Sequence, residues 1–175
     1  MKELLRLARQ TLETHFTGKK LHINEAFKKK YSDKRACFIT LTENGDLRGC
    51  IGSLSARQEL WKDVVENAKN AAFDDPRFPP LEENELGKIK IEISVLTEPK
   101  KLDYKNSEDL KNKIKNRGVV LKKGYHSATY LPQVWEQLPD AENFLSSLCE
   151  KAGLSADEWK RGVEILIYDA EKITE

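Results

Sequence analysis

The chain has 175 residues, with 30 lysines and arginines against 29 aspartates and glutamates and a net charge of +1, so it lacks the overall field that draws a protein onto nucleic acid. A chain of this length buries roughly 70% of its unfolded surface and needs no covalent staple; Cys37, Cys50 and Cys149 are odd in number and lack Cys-x-x-Cys spacing, which fits neither a disulfide framework nor a structural zinc site. Charged residues interrupt the N-terminal leucines, and no window approaches the roughly 18 apolar residues of a membrane span, so the expectation is a soluble protein of the reducing cytoplasm.

Leu4, Leu5, Ala8 and Leu12 recur at helical spacing before Gly18, which predicts an amphipathic helix over residues 2–16. Lys28-Lys29-Lys30, Lys100-Lys101 and Lys122-Lys123 read as solvated surface or edge-strand protection. Cys37, Ile39 and Leu41 alternate, Asn44-Gly45 is a hairpin turn, and an antiparallel pair over 36–41 and 47–53 follows. Ser55 and Gln58 have capping-box spacing ahead of a helix over 57–72, which Asp74-Asp75-Pro76 ends. Arg77-Phe78-Pro79-Pro80-Leu81 then runs extended or as polyproline II.

Ile89, Ile91, Ile93 and Val95 alternate with polar residues as a half-buried strand, and the stretch near 97–106 is the weakest seam. Ser107 caps a short helix through Leu110 and Ile114. Residues 119–121 and 126–131 form a second hairpin around Gly124, residues 140–152 a helix stopped by Gly153, and Val163, Ile165 and Ile167 a last strand. Helices and hairpins interleave without a strand-helix-strand beat, which predicts one α+β domain with mainly antiparallel pairing.

The candidate chemistry centres on Leu47-Arg48-Gly49-Cys50-Ile51-Gly52. Strict alternation puts Arg48 and Cys50 on one face, where the guanidinium favours the thiolate, and Gly49 and Gly52 leave room for a ligand or a second backbone. The same spacing also describes an inert cysteine in a tightly packed strand. Asp74, Asp75 and Arg77 lie in a proline-stiffened loop, either touching a ligand or capping the helix and pairing with each other. A helix of about 25 Å carries that loop away from Cys50 unless the chain folds back. Thr129 or Ser127 is a candidate pocket hydrogen-bond donor and His126 a candidate base, whereas His15 and His22 read as surface residues. No metal-ligand spacing exists, and the residues specify no cofactor.

Leu47 to Gly52, Ala72-Phe73-Asp74-Asp75-Pro76-Arg77-Phe78-Pro79-Pro80-Leu81 and Ala128-Thr129-Tyr130-Leu131-Pro132 occur in that order. Together they resemble the AMMECR domain family, named for the AMME syndrome candidate gene region, over nearly the whole chain, with Gln133 to Pro139 and Leu148 to Leu154 similar to its prokaryotic branch. The resemblance implies a single α+β domain over 1–175 with two related halves and a barrel-like sheet. The family's suggested enzymatic role rests chiefly on the cysteine motif carried here by Cys50. It also implies association with a Memo-like protein and a radical S-adenosylmethionine enzyme.

Two functions follow. One is a thiol-dependent enzyme, with Cys50 as nucleophile, Arg48 as activator or anion holder, and strand-end N–H groups as an oxyanion site. The other is a non-catalytic adaptor whose groove holds a metabolite or a partner loop, which needs no base. Nucleic-acid binding trails both, because the basic runs are scattered.

Overall fold

The computed structural model describes all 175 residues. In chain order the elements are α1 (Lys2–Thr17), α2 (Glu25–Lys30), β1 (Cys37–Glu43), β2 (Asp46–Gly52), α3 (Leu60–Phe73), β3 (Ile89–Leu96), β4 (Lys100–Lys101), α4 (Ser107–Ile114), β5 (Gly118–Lys123), β6 (His126–Tyr130), α5 (Ala141–Lys151), β7 (Glu164–Tyr168) and β8 (Ala170–Thr174), with short 3-10 turns at 83–85, 132–136 and 158–161. They divide into two compact units, residues 1–98 with 171–175, and residues 99–170. The boundary at 98/99 lies within the stretch 97–106. Each unit holds a four-stranded sheet, ordered β2-β1-β3-β8 and β4-β7-β5-β6. The class is therefore α+β, with antiparallel pairs wherever β1, β2 and β3, or β4, β5, β6 and β7, meet.

In the first unit, the stripe of α1 made by Leu4, Ala8 and Leu12 is fully buried, and Gly18 ends the helix at φ 64°, where glycine carries no steric penalty. β1 sends Cys37, Ile39 and Leu41 into the core, and Ile39 and Leu41 stand opposite Ile93 and Ile91 of β3. The alternate residue Thr40 therefore faces the other side, in a row with Cys50 of β2 and Glu92 of β3. In the second unit, Leu110, Ile114, Phe144, Leu145 and Leu148 build a separate cluster. Trp135 stacks on Phe144 with ring centroids 4.1 Å apart and donates its indole N–H to the Arg117 carbonyl at 2.9 Å. That is the packing role a buried tryptophan commonly has.

Local capping differs from the sequence reading. α3 begins at Leu60 with no side-chain cap, so the Ser55/Gln58 box does not form. The buried Asp63 carboxylate, one turn into α3, does a related job. It accepts the Cys37 N–H at 2.8 Å, the Ser53 hydroxyl at 3.1 Å, the Gln58 amide at 3.2 Å and the Asn67 amide at 3.0 Å. One carboxylate thus ties the start of β1, the end of β2 and α3 together. α4 is capped by Asn106, which accepts the Asp109 N–H at 2.9 Å, and not by Ser107. α2 and β8 have no counterpart among the elements that periodicity predicts: α2 is six residues long, and β8 completes the first sheet only after the chain has passed through the second unit. No helix is long and apolar enough to cross a membrane.

β2 and α3 meet at Gly49, where an added Cβ would lie 2.1 Å from the Ala71 carbonyl oxygen. Gly49→Ala should therefore lower stability by about 3 kcal/mol, the upper range for overpacking a tight contact, measured by urea unfolding at constant m-value.

Candidate functional site

α3 runs back along β2. Ser53 bonds Asp63 and Gly49 abuts Ala71; four strand residues cover about 13 Å and eight helical residues about 12 Å. The helix consequently ends beside the middle of β2, and residues 74–80 emerge next to Cys50. The connection that helix length argued against is made by this reversal.

The contact is direct. The Cys50 N–H donates to Asp75 Oδ2 at 2.9 Å, and Arg77 Nη2 donates to the Cys50 carbonyl at 3.1 Å. Arg77 also donates from Nε to Asp75 Oδ1 at 2.9 Å and from Nη2 to Oδ2 at 2.7 Å. Asp75 is buried and Arg77 about half exposed. Because β2 is the outer strand of its sheet, the carboxylate and guanidinium occupy the places a neighbouring strand's C=O and N–H would take, closing the edge at this residue. Arg77 first, then the Cys50 N–H, hold the Asp75 carboxyl far below the usual carboxylate range. Asp74 is exposed at the C-cap of α3.

Arg48 is committed to partners other than Cys50. Leu41 pairs with Gly49 and Thr42 with Leu47, so Arg48 is the extra residue of a β-bulge and the alternation breaks there. Its guanidinium is bidentate to Glu85, at 2.6 and 3.0 Å, and reaches the carbonyls of Pro79 at 3.0 Å and Pro80 at 3.3 Å. The cation beside Cys50 is Arg77. Burial pushes the Cys50 thiol above its ordinary value, and the Thr40 hydroxyl, 3.3 Å from Sγ, and Arg77 only partly oppose that. The depressed pKa expected from the Arg-Gly-Cys spacing is therefore reversed. The glycine reading changes too, since Gly49 admits the backbone of α3, and a Cβ at Gly52 would lie 2.5 Å from the Cys37 carbonyl oxygen. At both positions the space is filled by this chain.

Thr129 belongs to the second unit, where its hydroxyl donates to the Val119 carbonyl and bonds the Tyr168 hydroxyl, both at 2.9 Å. His126 Nδ1 lies 2.9 Å from the Ala152 carbonyl, so that nitrogen carries the proton, in an internal tie to α5. No group of histidines, cysteines and carboxylates is arranged to hold a metal. Sequence reasoning missed Thr40, Glu92 and Glu85. Alternation in β1 and β3 could have placed the first two on the Cys50 face, but nothing local announces Glu85.

A family model described as AMMECR1 matches residues 5–173. The chain belongs to the AMMECR1 family. This AMMECR1-family chain is 41% identical over 160 residues to a Nanoarchaeum equitans protein, covering 89% of each. It is 37% identical over 174 residues to a Methanosarcina barkeri protein, covering 95% of this chain and 86% of that one. The crystal structure of an uncharacterized protein from Pyrococcus horikoshii matches with a TM-score of 0.89 at 34% identity, over 98% of this chain and 89% of that one.

The Asp75 clamp has a pH signature. Its carboxyl ionises at lower pH in the folded chain than the roughly 3.9 of an unfolded one, so its contribution is fully present above about pH 4 and is lost as pH falls below that. Asp75→Asn should cost about 2 kcal/mol at pH 6, since one partner of the pair is half exposed. It should cost less at pH 3, as read from urea unfolding at the two pH values.

Proposed function

We propose that this AMMECR1-family protein is a non-catalytic binding module, in which the Cys50 region, with Asp75 and Arg77, forms part of a recognition surface for a small molecule or a partner's loop. The observation that carries this reading is the commitment of both main-chain groups of Cys50 to Asp75 and Arg77. A nucleophile needs a base and an anion-stabilising donor; here the adjacent N–H is taken by a carboxylate, the thiol is raised by burial, and its hydrogen-bond partner is the Thr40 hydroxyl, a poor base. What remains presented is Arg77, whose half-exposed guanidinium suits an anionic or carbonyl-bearing ligand. The Memo-like protein and radical S-adenosylmethionine enzyme implied by the family resemblance are the partners to test first.

A thiol-dependent enzyme is the competing reading, favoured by one observation: Cys50 is partly exposed whereas Cys37 and Cys149 are buried. Complementation of a deletion strain separates the two. Cys50→Ser should restore function and Arg77→Glu should not. Loss of function in a folded Cys50→Ser protein would establish the enzyme instead.

Iodoacetamide labelling followed by mass spectrometry should modify Cys50 ahead of the other two cysteines, because access rather than acidity ranks them. The rate at neutral pH should stay below that of a free cysteine and climb past about pH 8.5. Arg77→Ala should slow it further, and Arg48→Ala should leave it unchanged.

A further inference from the structure

The polar side of α1 carries a groove of about 510 Å³, between Lys2, Arg6, Arg9 and Glu13 on the helix and Thr174 and Glu175 at the end of the chain. Its charges are not all committed. Arg9 donates to the Leu86 carbonyl at 2.6 Å and the Ile89 carbonyl at 2.9 Å and pairs with the Glu175 carboxylate, so that arginine and that glutamate neutralise each other. Lys2 and Arg6 are exposed, and neither belongs to any of the ion pairs of the structure. Arg6 also lines a second concavity of about 320 Å³. Beside the groove, β8 is the last strand of its sheet and has a neighbour on one side only.

These features fit one kind of ligand by length and charge. Lys2 and Arg6 are one turn apart, about 6 Å along the helix axis, and alternate side chains of an extended chain repeat every 6.8 Å or so. The run from Lys2 to Glu13 is about 16 Å, the length of roughly five extended residues. Glu13 closes the far end with negative charge, so complementarity requires acidic groups opposite Lys2 and Arg6 and none beyond. A nucleic-acid strand fits less well, because it carries a phosphate at every residue, including opposite Glu13, and the lining has no aromatic ring on which a base could stack. We propose that this groove docks an extended segment of a partner protein whose alternate acidic side chains pair with Lys2 and Arg6, its main chain lying beside the open edge of β8. The proposal does not rest on the reading of the Cys50 region.

The test is fluorescence anisotropy with the full chain at low ionic strength and a labelled peptide Glu-Val-Glu-Val-Gln. Saturable binding is expected with Kd at or below about 1 mM. The isomer Glu-Glu-Val-Val-Gln, which sends its two carboxylates to opposite sides, should bind about fivefold more weakly, as should the alternating peptide to Arg6→Gln. Lys20→Gln, an exposed change outside the groove, should leave binding as it is. The proposal is overturned if the alternating peptide does not bind, if the isomer or an oligothymidylate binds as tightly, or if a folded Arg6→Gln protein binds unchanged.

Discussion

No side chain fits between β2 and α3 at Gly49, because the Ala71 carbonyl already occupies that space. This close approach fixes the helix on the strand, and the Asp63 carboxylate fixes the other end of the same contact through Cys37, Ser53 and Gln58. Two anchors about 12 Å apart on α3 leave the helix one direction to run, antiparallel to β2. The position of everything after Phe73, including Asp75 and Arg77, follows from that direction.

The consequence for Cys50 is a change of role. An outer strand presents unpaired N–H and C=O groups, which invite further pairing; at Cys50 one carboxylate and one guanidinium satisfy both. Burial raises the pKa of the thiol, and Arg77, brought beside it by the fold-back, opposes that only in part. The two arginines exchange the parts their spacing suggests. Arg48, two residues from the cysteine, is turned by the bulge onto Glu85 and the proline carbonyls, while Arg77, 27 residues away, lies against it. Arg48 thereby fastens the loop whose other end carries Arg77, so both serve the closure of one strand edge.

The two units are held by different means. The first relies on buried polar ties, with Asp63 and Asn67 among its apolar side chains and Arg9 gathering the carbonyls of Leu86 and Ile89. The second is more aromatic, with Trp135, Phe144 and Trp159 in its cluster and each indole N–H given a partner, Arg117 for Trp135 and Ser146 for Trp159. Lys100 and Lys101 form the two-residue edge strand β4, exposed and charged, as expected of an edge that avoids further pairing.

Periodicity and turn chemistry are local, so α1 with its Gly18 stop, the β1–β2 hairpin around Asn44-Gly45, β3 and the α+β class are legible in the residues alone. The sequence also singles out Cys50, Asp75 and Arg77, though not how they meet. It could not supply the bulge at Arg48, since alternation carries no sign of an inserted residue until the partner strand sets the register. Nor could it say what fills the space above Gly49, which a ligand and a helix backbone would use equally well. The acidity of Cys50 is set in three dimensions, because a thiol's pKa depends on the water removed and the charges brought near, and residues 40, 75 and 77 reach it by folding rather than by spacing along the chain.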